Sequence, residues 1–209
     1  MSSTPTSFAC MGAKLLHATG LERKLGERTM RYPELSVSPG NLMLIKGANG
    51  SGKSTLLRML CGVLAPCRGV IQRKKDIRIG VHFVTSHGLS PSLSVKENIC
   101  YSYALRGFDG PNWRQDVSAI LVAMQLDDIK HKLPFSLSSG QRQRVSLAAA
   151  MVGTPDLVVL DEPSVTLDTE ARRVLEENVA RLRQRNTAFL VSSHDALLFE
   201  NVPASTLNL

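Results

Sequence analysis

Apolar and polar residues change their spacing several times along the chain, and each change predicts a new element. Strands are predicted where apolar residues run together or alternate, over 42–46, 77–84, 157–160 and 187–192. Helices are predicted where apolar residues recur every three or four positions, over 54–63, 139–152 and 168–185. Elements that alternate in this way predict an α/β fold, with a largely parallel sheet flanked by helices.

The segment 87–138 interrupts this alternation with a more continuously helical pattern. Ser94 and Glu97 fit a capping box, and Pro111 is placed to open a second helix that reaches Met124. We interpret 87–138 as a helical lobe inserted in the α/β core. The alternative is a pair of ordinary crossover helices within that core.

The size of the chain fits one domain with the lobe inside it. Its 209 residues are 43% hydrophobic, which suffices for one sizeable core, so the domain is predicted to span 1–209. No apolar run approaches the roughly 20 residues that a membrane-spanning helix requires. We therefore expect a chain that is soluble or held at a membrane by partner proteins.

The charge of the chain is moderately basic. The net charge of +7 arises from 25 Lys and Arg against 18 Asp and Glu, which suits an anionic lipid surface, a nucleotide or a nucleic acid equally well. The densest basic segment, 68–78, lacks the aromatic residues that stack on bases, and we interpret it as a solvated face. No nucleic-acid partner is expected.

The cysteines and the first residues indicate a cellular compartment. Cys10, Cys61, Cys67 and Cys100 show no C-x-x-C spacing and are predicted to be buried thiols in a reducing compartment. The first 12 residues are too weakly apolar for a secretory signal. Their Ser/Thr-rich, acid-poor composition leaves an organelle-targeting role open.

One segment after the strand 42–46 fits the phosphate-binding pattern G-x-x-x-x-G-K-[ST]. It consists of Gly47, Ala48, Asn49, Gly50, Ser51, Gly52, Lys53 and Ser54, and Thr55 comes next. A polyphosphate needs several backbone N–H groups converging on its oxygens, and the glycines leave room for its approach. Lys53 is expected to reach the β- and γ-phosphates, and the Ser54 hydroxyl to hold a Mg²⁺ ion. The segment therefore predicts a site for a nucleoside triphosphate.

Two carboxylates, Asp161 and Glu162, follow the apolar run 157–160. In an open α/β sheet, ligands bind at that end of the strands. Asp161 is expected to hold the magnesium, since a hard cation favours carboxylate oxygen. Glu162 is then placed to orient and polarise the water that attacks the γ-phosphate. A strand that merely ends in a charged turn is the alternative.

Two further segments make the interpretation specific. The residues Leu137, Ser138, Ser139, Gly140 and Gln141 precede a predicted helix and match LSGGQ at four of five positions. His194 follows the strand after the carboxylates. With these motifs the sequence resembles the ATP-binding-cassette family over nearly its whole length. The resemblance implies ATP hydrolysis on a RecA-like P-loop core of mixed or parallel sheet, with a small N-terminal β subdomain and an inserted helical lobe.

The resemblance also implies how the site residues work together. In such cassettes the signature of one subunit closes over the nucleotide held by the other, so that ATP joins a homodimer. Ser138 or Ser139, with the N–H groups of the helix that begins there, would offer donors to the γ-phosphate. The segment 165–168 resembles the dimer-facing loop, which adds Asp168 to the nucleotide site. His194 takes the place of the switch histidine, which contacts the γ-phosphate.

Two departures from the family pattern narrow the choice of subfamily. The stretch 21–26 lacks the aromatic residue that usually stacks on adenine, so recognition of the base is expected to be weak or differently built. The Gln that starts the loop coupling magnesium to the membrane subunit is absent near 85–87, where Ser86 or His87 would substitute.

With its short length and the motif GANGSGKS followed by TLLRMLCGVL, the chain resembles the haem exporter ATPases of cytochrome c maturation. This resemblance implies integral membrane permease subunits and a haem chaperone complex as partners, with docking near 87–94. The implied location is the cytoplasmic face of a bacterial inner membrane, or the matrix face of the mitochondrial inner membrane. The ATPase of another small exporter or importer, a soluble cassette acting on nucleic acid or ribosomes, and a regulatory cassette are the alternatives.

Overall fold

A computed structural model describes residues 14–84, 88–108, 110–195, 198–200 and 202–209. The strands are β1 (Leu16–Leu25), β2 (Arg28–Arg31), β3 (Leu35–Val37), β4 (Leu42–Lys46), β5 (Arg68–Arg73), β6 (Ile79–Phe83), β7 (Leu157–Asp161), β8 (Ala188–Ser192) and β9 (Ser205–Asn208). The helices are α1 (Lys53–Leu60), α2 (Val95–Leu105), α3 (Trp113–Ala123), α4 (Ser139–Met151) and α5 (Thr169–Arg183). Short 3₁₀ turns at Asp127–Ile129 and Pro134–Ser136 join α3 to α4.

A five-stranded parallel sheet forms the core, in the order β6-β7-β8-β4-β9. Every residue of β7 and β8 is buried, which explains why these strands are continuous apolar runs in the sequence. The strands predicted over 42–46, 77–84, 157–160 and 187–192 are thus confirmed, each with its ends within two residues of the prediction.

A smaller antiparallel sheet covers the start of the chain. Strand β1 pairs with β2, β3 and β5, so the first part of the basic segment 68–78 enters the fold as the edge strand β5. Most of that segment is exposed, as predicted, but the Arg73 guanidinium is half-buried and donates to the carbonyls of Met59 and Leu60 at the end of α1. Together the two sheets and the helices confirm the predicted α/β class.

Helices α2 and α3 lie in the segment predicted as a helical lobe. Ser94 and Glu97 form the predicted capping box at the start of α2. The other predicted helix begins two residues after Pro111, at Trp113, because a turn in which the Trp113 N–H bonds to the carbonyl of Gly110 precedes it. The helices occupy part of 87–138, and those bounds stay a prediction.

Close contact with the sheet fixes the position of α4. At Gly80 of β6, an added Cβ would lie 1.8 Å from the carbonyl oxygen of Ala150, so only glycine fits there. Arg106, just after α2, donates from one nitrogen to the carbonyls of Ala149 and Val152 at the same C-terminal end of α4. Burial lowers the pKa of Arg106 to about 10. The helix that begins at the signature is therefore tied to both the sheet and α2.

The cysteines differ from the prediction. Cys61 and Cys100 are half-buried against the core, so the prediction of buried thiols is met in part, whereas Cys67 is exposed in the turn before β5 and the prediction is wrong there. None of these three forms a disulfide. Cys10 and the first 13 residues lie outside the described residues. Within the described ranges, no helix is both long enough and apolar enough to cross a membrane.

Candidate nucleotide site

Three neighbouring strands of the parallel sheet end at the same edge and deliver the predicted site residues to it. Strand β4 leads into the phosphate loop, β7 ends at Asp161, and β8 ends at Ser192, two residues before His194. Asp161 and Ser192 are paired in the register of β7 and β8. Because carboxyl ends of parallel strands meet at one edge, residues far apart in sequence become neighbours there.

The phosphate loop bends around Gly52, the N-cap of α1. Its φ of 94° is left-handed, and an added Cβ would lie 2.7 Å from the hydroxyl oxygen of Tyr32. Tyr32 is buried beneath the loop, where burial raises the pKa of its phenol, and it donates a 3.5 Å hydrogen bond to the Gly52 carbonyl. Ala48, Asn49 and Gly50 are exposed above it. The loop is therefore supported by Tyr32 and exposed to solvent at residues 48–50.

Lys53 is buried at the first position of α1, with 7% of its surface exposed. Its ammonium donates to the carbonyl oxygens of Gly47 at 2.8 Å and Ala48 at 3.3 Å. The same nitrogen lies 3.9 Å from Oε1 of Glu162. The lysine thus lies inside the phosphate loop, beside the second carboxylate.

Asp161 and Ser54 face each other across the sheet edge. The Ser54 hydroxyl donates to Oδ1 of Asp161 at 2.9 Å, and the Ser192 hydroxyl donates to the same oxygen at 2.6 Å. The other oxygen, Oδ2, is buried without a hydrogen-bond partner among the described residues. A buried carboxylate oxygen beside a hydroxyl suits a hard cation such as Mg²⁺, so these two residues fit the ion that the sequence implies.

Glu162 and His194 form a second pair next to Asp161. Glu162, the residue after β7, has a left-handed backbone, with φ of 49°. Its Oε2 lies 2.7 Å from Nδ1 of His194 and also accepts the His194 N–H at 3.2 Å. Because a carboxylate can only accept a hydrogen bond, Nδ1 carries the proton of this contact. Nε2 takes no part in the contact with Glu162.

The signature residues begin α4. The Ser138 hydroxyl accepts the Gln141 N–H, and the Gln141 side chain accepts the Ser138 N–H, which completes a capping box. Ser138 and Ser139 are exposed, and Gly140 is half-buried. Ser138, Gly140 and Gln141 line a surface cavity together with Asp168, which caps α5 by accepting the Ala171 N–H. The lining of this cavity includes no residue of the phosphate loop.

Three supporting residues have no signal in the sequence. Tyr32 contacts Gly52, Ser192 contacts Asp161, and Gln143 of α4 donates to the carbonyl of Pro163 at 2.9 Å. Each contact spans 20 or more residues of chain. Only the fold could reveal them.

The structure describes the region of the missing aromatic residue but not that of the missing Gln. The stretch 21–26 covers the end of β1, where Leu21 is buried and Glu22 pairs with Arg31. The predicted substitutes for the missing Gln, Ser86 and His87, lie outside the described residues.

A glycine-rich loop between a parallel strand and a helix, with a lysine inside the loop and a carboxylate at a neighbouring strand end, defines a P-loop nucleoside triphosphatase. Comparison with known proteins narrows this class. The family model described as ABC transporter matches residues 31–165. The chain therefore belongs to the ABC transporter family and is an ATP-hydrolysing subunit of that type.

Several named relatives are similar to this chain in sequence. The spermidine/putrescine import ATP-binding protein PotA of Frankia alni is 34% identical over 171 residues, 78% of this chain but 37% of PotA. The cytochrome c biogenesis ATP-binding export protein CcmA of Brucella abortus is 30% identical over 190 residues, 88% of this chain and 86% of CcmA. The ABC transporter ATP-binding protein NatA of Bacillus subtilis is 29% identical over 83% of this chain and 74% of NatA.

Solved structures share the fold. The ATP-binding subunit of an ABC transporter superposes with a TM-score of 0.81 at 23% identity, covering 93% of this chain and 85% of that subunit. A dimeric ATP-binding cassette in a post-hydrolysis state, bound to ADP and Pi, superposes with a TM-score of 0.72 at 23% identity, covering 87% of this chain and 88% of that cassette.

Proposed function

We propose that the chain binds Mg²⁺–ATP at the edge where β4, β7 and β8 end, and hydrolyses it between two copies of itself to drive membrane partner subunits. The observation that carries this proposal is the convergence of Lys53, Asp161, Glu162 and His194 at one sheet edge. Phosphoryl transfer depends mainly on positioning and on charge stabilisation, and these residues supply both.

The phosphate loop and Lys53 hold the triphosphate. The first N–H groups of a helix have no partner within it, so those at the start of α1 would bind phosphate oxygens, and the Lys53 ammonium would exchange the Gly47 and Ala48 carbonyls for β- and γ-phosphate oxygens. Ser54 and Asp161 would hold Mg²⁺, which neutralises charge on the phosphates when bound. Thr55, half-buried in the first turn of α1, completes the loop side.

Glu162 orients the attacking water. Its carboxylate lies between the Lys53 ammonium at 3.9 Å and the His194 imidazole at 2.7 Å, so two neighbours fix its direction. His194 is largely exposed, with 63% of its side chain accessible, and Nε2 is therefore open to a γ-phosphate. The histidine both aligns the carboxylate and contacts the phosphate that is lost.

The second half of the site comes from another copy of the chain. Ser138, Ser139, Gly140 and Gln141 form a helix start in which the two serines are exposed, and a helix start favours anions. Placed over the partner's γ-phosphate, this surface would complete the pocket, with Asp168 in the neighbouring loop. ATP would then join the two copies until hydrolysis separates them.

Substitution of Glu162 tests the chemistry. Glu162→Gln keeps the size of the side chain but removes the charge that polarises water, so we expect hydrolysis to fall by about 100-fold or more while ATP binding persists. An ATP-dependent dimer should accumulate, visible as a doubled mass in size-exclusion chromatography with light scattering. Glu177→Gln, on the exposed face of α5, is the matched control. Hydrolysis at the unmodified rate in Glu162→Gln would refute the role of Glu162.

The membrane partner is proposed to dock beside the lobe. A groove between β6, α2 and α4 is lined by Ile79, Val81, Ser102, Leu105, Arg106 and Ala149. Leu105 and Tyr101 on α2 are 68% and 54% exposed. The adjacent residues 90–94 are held by Asn98, whose amide bonds to Ser90, Leu93 and Ser94. A firm, partly apolar surface of this kind suits a segment of a permease subunit.

For the cargo, we propose haem handling in cytochrome c biogenesis, with a haem chaperone complex among the partners. Support comes from the match to CcmA, which extends over 88% of this chain and 86% of the relative, and from the short loop-to-helix motif. The proposed location is the cytoplasmic face of a bacterial inner membrane, with the mitochondrial matrix face as the alternative.

The ATPase of another importer or exporter is the second candidate. Its support is the comparable identity of PotA, at 34%, and NatA, at 29%. Affinity capture of the tagged chain from native membranes, with Leu105→Glu as the docking control, separates the two. Recovery of haem-handling membrane proteins supports the first candidate, whereas recovery of a permease of another class refutes it.

A further inference from the structure

Ser192 is a buried residue at the end of β8 that the mechanism above does not use. It is completely buried, in a strand whose other residues are all apolar, so its hydroxyl must be satisfied within the protein. Both of its partners belong to the site. It donates to Oδ1 of Asp161 at 2.6 Å and accepts the Glu162 N–H at 3.2 Å.

The backbone strengthens this contact. The carbonyl of Ser192 also accepts the Glu162 N–H at 3.0 Å, and Ser192 is paired with Asp161 in the register of the sheet. One residue therefore holds the side chain of the first carboxylate and the backbone of the second. The left-handed turn at Glu162 begins from this anchored position.

The two hydroxyls that donate to Asp161 would respond differently to a bound cation. Ser54 and Ser192 both donate to Oδ1, but the Ser54 oxygen would become a ligand of the metal. Ser192 lies on the sheet side and cannot follow, because it is fully buried. Its hydrogen bond is then what keeps Oδ2, the oxygen without a partner among the described residues, directed at the cation.

We propose that Ser192 is a positioning residue that aligns Asp161 for the metal and thereby couples metal binding to nucleotide binding. This inference rests on the proposed magnesium role of Asp161. A hydrogen bond from a neighbouring group to a metal ligand commonly changes metal affinity about 10- to 100-fold. The effect is expected on the metal and not on the nucleotide alone.

The test measures the affinity of a non-hydrolysable β,γ-imido ATP analogue in EDTA and in saturating Mn²⁺, by isothermal titration calorimetry. The Kd in EDTA divided by the Kd in Mn²⁺ measures the coupling between metal and nucleotide. The measurement requires no turnover. Ser192→Ala should lower this ratio about tenfold or more, while the Kd in EDTA stays within about twofold of the unmodified chain.

Thr187→Val is the matched control. Thr187 is also a buried hydroxyl residue, just before the other end of β8, and donates to the Pro155 carbonyl at 2.8 Å. Its loss should lower the thermal midpoint to a similar extent without changing the Kd ratio. Thermal unfolding of both variants shows that each is folded.

Three outcomes would overturn the inference: an unchanged ratio in Ser192→Ala, an equal drop in Thr187→Val, or a loss of affinity in EDTA as large as that in Mn²⁺. Failure of the proposed function looks different. In that case the unmodified chain itself would show no gain in affinity from Mn²⁺.

Discussion

The sheet edge and the signature end of α4 are both predicted to contact ATP, but they are built in opposite ways. At the edge, Lys53 and Asp161 are 7% and 1% exposed, and their polar groups bond to loop carbonyls and neighbouring hydroxyls. At the signature, Ser138 and Ser139 are exposed, and the capping box is satisfied within one helical turn.

This difference indicates how the work is divided. The edge is a preorganised network built within one chain, so in the proposed function its residues would hold the triphosphate and fix the direction of Glu162 before a second copy approaches. The signature is a helix start without a ligand-holding side-chain network, which suits transient contact with an anion. A site that must open and close can combine a preorganised sheet edge in one copy with a signature that another copy contributes.

The largest test of this division mixes two inactive variants. Lys53→Ala removes the triphosphate contact, and Ser139→Glu places a negative charge at the signature, so each alone should lose about 100-fold or more of its ATPase rate. In a shared site, a mixed dimer keeps one intact pocket. Equal mixing should therefore restore roughly a quarter of the unmodified rate, measured by phosphate release.

Lys75→Ala is the control for this experiment, since Lys75 is exposed in the turn between β5 and β6. Mixed dimers that form but release no phosphate would contradict a site shared between copies. Full activity of Ser139→Glu alone would show that the edge works without the signature.

A smaller effect is expected at the proposed docking groove. Leu105→Glu puts a charge on a side chain that is 68% exposed there, so attachment to native membranes should weaken at least about tenfold. Val63→Glu is the matched control, because Val63 is 65% exposed after α1, away from the groove. Co-sedimentation with membranes measures both. Equal loss in the two variants would place the docking surface elsewhere.

The smallest expected effect lies at the opposite end of β7, before its first residue. Burial of the Asp156 carboxyl opposes ionisation, but the Arg78 N–H and the Lys74 ammonium outweigh it and hold its pKa below the usual value. Its stabilisation is complete above the ordinary pKa of about 3.9 and is lost as the pH falls through the lowered value. Asp156→Asn should therefore cost about 0.5–1 kcal/mol at pH 7.

Urea unfolding at pH 7 and near pH 2 measures this difference, which should shrink toward zero in acid. Glu27→Gln, in the exposed turn between β1 and β2, is the control. The ATPase rate should stay unchanged, because Asp156 is at the far end of the strand from Asp161. A slower ATPase rate in Asp156→Asn would mean that the site at the sheet edge depends on the opposite end of β7.

The elements were largely predictable because their patterns are local. Continuous apolar strands, the capping box at Ser94 and the apolar stripe of α5, with Val174, Leu175 and Val179 buried, all follow from spacing within a few residues. Exposure of single residues was less predictable. Cys67 lies in an apolar stretch of sequence but falls in a surface turn, since its burial depends on which elements cover it.

The sequence by itself determined the phosphate loop, the carboxylate strand and the family to which they belong, because each is a short run with its own chemistry. Only the tertiary structure decided that Ser192 would hold Asp161, that Tyr32 would lie under Gly52, and that His194 would bond to Glu162. These contacts join separate segments, and strand order and register alone bring such segments within hydrogen-bonding distance.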